Sequence, residues 1–202
     1  MKFQITLLLA ILFSFNVKAQ DDHALFQMIE NAGSTISSME CEIDNIRLKS
    51  GEEHTKHGML YYQTDDKLAT YFDNEDYAIF CENKVKINIG IFRGSFRTNR
   101  DNIFNSLSSL LFCAIQGKCV QLAENNDYDY SIEEKGDTYW VNFDSRKQSS
   151  FAIGYKNVVL VYGADDFRLR SIAMTDYKDV TNTFNLSKPK YGIAINADKF
   201  KQ

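Results

Sequence analysis

Apolar and polar residues alternate in short runs along most of the chain, which is the pattern of half-buried β-strands. In one such run Val85, Ile87 and Ile89 point to one face, and the polar residues between them point to the other. Turn-forming groups such as Asp73-Asn74-Glu75 and Lys135-Gly136-Asp137 separate the runs. The pattern predicts one antiparallel meander of about nine or ten strands, a sheet large enough to curl.

Two stretches have helical spacing instead. The first, residues 21 to about 38, begins with acidic residues and repeats the apolar positions Leu25, Ile29, Ala32 and Ile36. The second lies mid-chain and contains Ile103, Phe104, Leu107, Leu110, Leu111 and Ala114. We therefore predict an N-terminal amphipathic helix and one inserted helix whose connection is long enough to cross the sheet.

Two predicted strands break the simple alternation. In the strand that contains Leu60 and Tyr62, Met59 and Tyr61 make the opposite face apolar as well, and we expect the N-terminal helix to cover them. In the first strand the apolar phase slips by one residue beyond Ile43. A β-bulge near residues 44 to 45 would keep one face directed inward.

Residues 1–19 have the pattern of a secretory signal peptide. Lys2 supplies the positive start, an apolar core follows, and small residues precede Gln20. The apolar core of about eleven residues is shorter than the ~20 that a transmembrane helix needs. We predict cleavage before Gln20, which leaves residues 20–202 as a single freely soluble domain.

Charge and motifs narrow the function. The formal net charge is −4, and residues 1–19 hold basic but no acidic side chains, so the secreted chain is more acidic still. This balance argues against nucleic acid and anionic membrane surfaces as partners. The histidines His23, His54 and His57 offer no third metal ligand in an obvious position, and no phosphate-binding loop or nucleophile motif occurs. We predict a protein that is not an enzyme and that needs no metal or cofactor.

The four cysteines Cys41, Cys81, Cys113 and Cys119 would enter an oxidising compartment. Cys113 and Cys119 are close enough in sequence to bridge a short loop. Cys41 and Cys81 would lie on the first and fourth strands of a meander, where spacings of ~4.8 Å per strand exceed disulfide reach. We expect one bridge at most, with Cys113 and Cys119 as the candidate pair.

Several motifs resemble, in order and spacing, those of the LolA-type periplasmic lipoprotein carriers, and more closely the LolA-like branch of Bacteroidota. The motifs are Ile36-Ser37-Ser38-Met39, Gly58-x-Leu60-x-Tyr62, Leu68 to Tyr71, Tyr77 to Ile87, the hairpin around Asp165-Asp166, Thr183-x-Asn185-Leu186 and Ala197-Asp198-Lys199-Phe200. The resemblance implies a mainly β protein with helices, an α+β fold. Its single antiparallel sheet would be strongly curved into an unclosed half-barrel, with helices covering the concave face.

The resemblance also implies a function. Carriers of this family take lipoproteins from an inner-membrane ABC transporter through the periplasm towards the outer membrane. We expect a periplasmic monomer that binds the acyl chains of lipoproteins; the outer-membrane acceptor stays unidentified. The family has an Arg-Pro pair at the end of the Gly-x-Leu strand, where this chain has Thr64 and Asp65. The lid gating attributed to that arginine therefore does not carry over.

The expected acyl-chain cavity has two sides. Its sheet side comprises Leu60, Tyr62, Ile79, Ile87, Ile89, Val159 and Val161, and its helix side Phe104, Leu107 and Leu111. The alternative is that these stripes are ordinary hydrophobic core.

A small basic group, Arg93 and Arg97, is either a solvated loop or a docking site for an acidic partner or a lipid headgroup. Two other functions stay open on the same fold. One is an envelope lipid-sensing or scaffolding module, and the other is a carrier of a different hydrophobic cargo.

Overall fold

The computed structural model describes residues 22–64, 66–98, 103–147 and 154–201. Helix α1 spans residues 22–34. Six strands follow: β1 (Ser38–Lys49), β2 (Glu52–Gln63), β3 (Lys67–Phe72), β4 (Tyr77–Cys81), β5 (Lys84–Ile89) and β6 (Phe92–Arg97). The rest comprises α2 (Ile103–Gln116), α3 (Cys119–Asn126), β7 (Tyr128–Lys135), β8 (Thr138–Ser145), β9 (Tyr155–Gly163), β10 (Leu169–Asp176), β11 (Thr181–Tyr191) and a 3-10 helix (Ala197–Phe200). The predicted signal peptide, residues 1–19, lies outside the described residues.

All eleven strands form one antiparallel sheet in the order β6-β5-β4-β3-β2-β1-β11-β10-β9-β8-β7. The two halves meet where β1 pairs with β2 on one side and with β11 on the other. Strands β6 and β7 are the two edges, and the sheet does not close. Since α2 and α3 connect these edges along the chain, they cross one face of the sheet. The predicted fold class, an open curved sheet with helices on its concave face, is confirmed.

Two details differ from the sequence prediction. Residues 92–97 form the edge strand β6 rather than an interruption of the meander, which raises the strand count to eleven. The inserted helix is two helices, because Gly117 ends α2 with a positive φ of 69°. A Cβ atom at Gly117 would lie 2.4 Å from the carbonyl oxygen of Ile29 in α1. Only glycine therefore allows this close approach between α1 and the end of α2.

The main core lies between the helices and the concave face. Paired residues of antiparallel neighbours share a face, so the pairing sequence Cys41, Leu60, Thr70, Ala78 and Ile87 marks one row on the concave side. The buried residues of this face include Met39, Tyr62, Leu68, Phe80, Val85, Val158, Leu160 and Tyr162. Leu25, Ile29, Leu110, Ile115 and Leu122 of the three helices pack in the same cluster.

The convex face has a small core of its own. Tyr61, Ala69 and Ile79 are buried there beneath Phe200 of the 3-10 helix. The Tyr71 hydroxyl donates a hydrogen bond of 2.7 Å to the carbonyl oxygen of Lys199. The second apolar face of β2 is thus covered by the C-terminal segment, and the prediction that the N-terminal helix covers it is wrong.

The predicted bulge in β1 is also wrong. Strand β1 pairs with β2 without a shift, from Ser38 opposite Gln63 to Lys49 opposite Glu52. Residues 46 and 48 therefore turn to the convex side, and Leu48 is 44% exposed. The register shift lies on the β11 side instead, between Glu40 and Glu42.

The four cysteines are free thiols, so the predicted bridge between Cys113 and Cys119 is absent from the structure. The Cys119 thiol instead lies 3.6 Å from the Tyr162 hydroxyl, to which it donates. Tyr162 in turn donates to the carbonyl oxygen of Ala114 at 3.0 Å. Burial raises the pKa of Cys119, and likewise that of Cys41, to about 12. These two thiols stay protonated at neutral pH and are poor nucleophiles.

Two features are absent from the described part of the chain. No helix there combines the length and apolar character that a membrane span requires. No group of three or more potential metal-binding side chains lies together among the same residues.

Candidate functional site

A cavity of about 950 Å³ lies between helix α2 and the concave face of the sheet. This volume is at the upper end of the roughly 300–1,000 Å³ of pockets that hold small ligands. Its apolar walls comprise Leu60, Leu68, Phe72, Ala78, Phe80, Ile172, Met174, Phe184 and Leu186 from the sheet and Leu107 and Leu111 from α2. Strands from both halves of the sheet contribute, so the cavity spans the β1–β11 junction.

The walls are apolar because each strand presents alternate residues to this face. Ile172 and Met174 of β10 lie opposite Leu160 and Val158 of β9. Apolar surface withdrawn from water contributes about 25 cal/mol per Å². A ligand with hydrocarbon chains would gain this free energy along the apolar part of the floor, without a covalent bond; Asn45, Arg47, His54 and Lys56 make the part of the lining at β1 and β2 polar.

A polar network closes one side of the cavity. Asp76, almost fully buried, forms an ion pair with Lys56 of β2. It also accepts hydrogen bonds from the Asn74 side chain at 2.9 Å and from the backbone N–H of Gly90 at 3.0 Å. Burial alone would raise the pKa of Asp76, but the bonds from Lys56, Gly90 and Asn74 lower it below its usual value. One carboxylate thereby ties the β5–β6 turn to β2.

The mouth of the cavity is formed by the turn between β5 and β6. Ile91 and Phe92 line the cavity, yet they are 92% and 68% exposed. They are the most exposed large apolar residues of the described chain. Their neighbour Ile89 also lines the cavity and is partly exposed.

Four of the residues expected in the cavity line it: Leu60, Ile89, Leu107 and Leu111. Tyr62 and Ile87 lie on the same face but in the packed core beside it. The Tyr62 hydroxyl accepts a hydrogen bond of 3.0 Å from the Gln116 side chain at the end of α2. Phe104 belongs to α2, but its side chain lies outside the described residues.

Three of the expected residues lie on the convex face instead. Ile79 pairs with Ala69 and packs in the convex core. Val159 and Val161 are half-buried, while Val158, Leu160 and Tyr162 occupy the concave core. The sequence prediction assigned these three residues to the concave face, which is occupied by the residues one position away. In both strands consecutive apolar residues leave the sequence without a preferred face.

Arg93 and Arg97 lie on the edge strand β6 and not in a loop. Arg93 is opposite Asn88, and Arg97 is opposite Lys84. Lys86 pairs with Ile79, which lies on the convex face. Lys84 and Asn88 are two residues away from Lys86 on the same strand, so they and their partners Arg97 and Arg93 lie on the convex side as well. The two arginines therefore lie outside the cavity. Arg93 is one pair from the turn at the mouth, and Arg97 is at the far end of the hairpin.

The sequence reasoning missed the contribution of the last two strands. Phe184 and Leu186 of β11, and Ile172 and Met174 of β10, supply most of the floor on that side. The alternation within each pair was a usable signal, since the residues between them are small or polar.

No family model and no curated protein matches the sequence. Solved structures do match the fold. An uncharacterized conserved protein from Thermus thermophilus has a TM-score of 0.53 and 9% identity, over 90% of this chain and 94% of that chain. MucB has a TM-score of 0.52 and 10% identity, over 91% of this chain and 63% of MucB. A LolA superfamily protein from Nitrosomonas europaea has a TM-score of 0.43 and 8% identity, over 89% and 97%.

The fold is an open, curved half-barrel. The open sheet and the helices that cross its concave face resemble the fold of the Thermus thermophilus protein and of MucB. At these identities the matches show the fold alone. What the half-barrel binds in this chain has to be argued from its own cavity.

Proposed function

We propose that this protein is a periplasmic carrier that binds the acyl chains of lipoproteins in the cavity under α2. It would shuttle them from the inner towards the outer membrane. The observation that carries the proposal is the 950 Å³ apolar cavity, which opens to solvent beside exposed Ile91 and Phe92. An ordinary hydrophobic core has neither an empty volume of this size nor an exposed apolar rim.

The size of the effect is adequate for a carrier. Each buried methylene contributes ~0.8 kcal/mol, so about fifteen methylenes supply ~12 kcal/mol, of which ~8 kcal/mol remains after an association cost of ~4 kcal/mol. An energy of about 8 kcal/mol corresponds to a micromolar dissociation constant. Binding in that range holds the cargo in water and still allows it to leave.

Helix α2, which covers the cavity, can move outward without disrupting the sheet. Helix α2 packs on the concave face through side chains such as Leu110 and Leu111, while the strands are held by their own hydrogen-bond ladders. An outward shift of α2 would therefore widen the cavity and leave the ladders intact. At the position of the family's arginine, Thr64 donates its backbone N–H to the carbonyl oxygen of Ser37 at 2.9 Å. Gating in this chain would have to rely on packing.

The partners follow from the same proposal. A lipoprotein-releasing ABC transporter of the inner membrane would load the carrier, and an outer-membrane acceptor would unload it. We take a monomer as the working unit, because a single sheet supplies the floor of the cavity. The predicted signal peptide, residues 1–19, would deliver the chain to the periplasm.

The experiment is lipoprotein release from spheroplasts. The secreted chain is incubated with spheroplasts of its own organism, and the supernatant is examined for soluble one-to-one complexes with lipoproteins. We expect release with the unaltered chain, and loss of release with Leu107→Glu, which places a charge in the cavity. Leu48→Glu, on the exposed convex side, is the matched control and should release normally. No release by the folded, unaltered chain from competent spheroplasts would contradict the proposal.

A second candidate is a binding module that senses lipid or protein in the envelope and transports nothing. The match to MucB is the observation that favours it, since MucB has also been solved in complex with MucA from Pseudomonas aeruginosa. The same release experiment separates the two functions. A sensor would bind lipid without bringing lipoproteins into solution, and a carrier of another cargo would release a different molecule.

A further inference from the structure

The β5–β6 hairpin combines an apolar tip with basic strands. Its tip carries Ile91 and Phe92, whose side chains stand largely in water. Its strands, residues 84–97, contain two lysines and two arginines and no acidic residue. This local charge of +4 lies within a chain whose net charge is −4.

The basic residues share one side of the hairpin. Lys84 lies opposite Arg97, and Arg93 lies one pair behind the tip, opposite Asn88. At ~3.4 Å per residue, Lys86 stands roughly 10 Å behind the tip. Electrostatic screening acts over ~8 Å at physiological ionic strength, so Arg93 is the basic residue that acts most strongly on the tip. The Asp76 carboxylate, which bonds to the Gly90 N–H, is neutralised by its ion pair with Lys56. The net charge of the whole chain is therefore a poor guide to what this hairpin attracts.

Hydrogen bonds to a neighbouring turn fix the tip of the hairpin. Asp76 accepts a hydrogen bond from the Gly90 N–H, and the Asn88 side chain donates to the carbonyl oxygen of Glu75 at 2.9 Å. Both bonds join the hairpin to the β3–β4 turn. The two exposed apolar side chains are thus presented by a fixed scaffold.

The tip is also continuous with the cavity. Ile89, Ile91 and Phe92 belong to the lining of the cavity and are also exposed to solvent. A hydrocarbon chain that passes between a bilayer and the cavity along this rim stays in contact with apolar side chains. Without such contact each methylene in transit is exposed to water at a free-energy cost.

We propose that the β5–β6 hairpin docks this protein on an anionic lipid bilayer. Ile91 and Phe92 enter the interface, and the basic side of the hairpin meets the headgroups, while the cavity mouth faces the membrane. This inference rests on the proposed function, since it gives the acyl chains a path into the cavity. A bilayer matches this surface better than a partner protein does. The basic residues are spread along two strands behind a two-residue apolar tip and are not gathered around a groove.

The test is flotation of the secreted chain with vesicles. One set contains phosphatidylethanolamine and phosphatidylglycerol, and the other contains phosphatidylcholine alone. We expect binding to the anionic vesicles only, and its loss at high salt. Arg93→Glu should lower the vesicle partition coefficient by roughly 30-fold, since it changes the charge beside the surface by two units. Ile91→Ser combined with Phe92→Ser should abolish binding, whereas Leu48→Ser, an equally apolar but remote exposed site, should leave it unchanged.

Three results would overturn the inference. They are no binding to anionic vesicles by the unaltered chain, equal binding by the hairpin variants, and equal loss in Leu48→Ser. If vesicle binding is absent while Arg93→Glu stops lipoprotein release from spheroplasts, the hairpin docks on a protein instead. Binding of a fluorescent fatty acid in solution tests the proposed function separately, because Arg93 lies outside the cavity. A chain that floats with vesicles but binds no fatty acid would refute the carrier and leave the docking surface standing.

Discussion

A substitution that fills the cavity with a larger side chain distinguishes a ligand-binding site from an ordinary hydrophobic core. Ala78 of β4 lines the cavity and is partly exposed, so Ala78→Phe should place its ring in the cavity. Its neighbour Ala69 of β3 is fully buried in the convex core and serves as the matched control. Both substitutions add the same ring to adjacent strands of one sheet.

The magnitudes follow from the two environments. A phenylalanine ring covers roughly 150–250 Å² of apolar surface, which at ~25 cal/mol per Å² corresponds to about 4–6 kcal/mol of ligand contact. Ala78→Phe should therefore weaken fatty-acid binding by at least ~30-fold, which corresponds to half of the lower energy. It should leave the melting temperature unchanged. Ala69→Phe has no space to fill and should cost about 1–3 kcal/mol of stability, or several degrees.

Fluorescent fatty-acid titration and thermal denaturation by circular dichroism measure both effects on the same preparations. The reasoning fails if Ala78→Phe lowers the melting temperature as much as Ala69→Phe does. It also fails if Ala78→Phe binds the fatty acid as well as the unaltered chain.

Three further predictions concern the scaffold. Gly117→Ala should lower the free energy of unfolding by about 2 kcal/mol or more, since it adds a clash with α1 to the strain of a positive φ; Gly136→Ala, with a similar φ and open space, should cost only about 1 kcal/mol in the same denaturant titration. The pKa of Asp76 is lowered in the folded protein, so its contribution to stability is present above the unfolded pKa of ~3.9 and is lost as the pH falls below it. The melting temperature of Asp76→Asn should therefore vary less between pH 6 and pH 3 than that of the unaltered chain. An equal dependence of the melting temperature on pH would contradict the assigned network. Mass spectrometry after alkylation should find Cys113 and Cys119 unmodified in the native protein and both modified after unfolding, whereas a mass lower by two protons would reveal a bridge.

Where one face of a strand is wet, the sequence predicted the structure well. In β5 the lysines at 84 and 86 mark the outer side, and Val85, Ile87 and Ile89 face the cavity side as expected. The stripe of α2 was equally readable, because Leu107 and Leu111 recur at helical spacing. Periodicity assigns a face only when polar residues define the opposite one.

Where both faces are apolar, the sequence carried no such signal. The run around Val159 in β9 and the run around Ile79 in β4 are apolar at every position or nearly so, and their phase is set by pairing with neighbouring strands. The cover of the convex face depends on Phe200, which is far from β2 in sequence and close only after folding. Strand β6 was missed because Arg93 and Gly94 interrupt its apolar positions, yet an edge strand tolerates both.

Site-specific photo-crosslinking in cells tests the central claim most directly. A photoreactive residue at position 107 faces the cavity, and the same residue at position 48 faces away from it. The account predicts lipoprotein adducts at position 107 that carry the crosslink on an acyl chain, and none at position 48. No adduct at position 107, or equal adducts at the two positions, would contradict an acyl-chain site beneath α2.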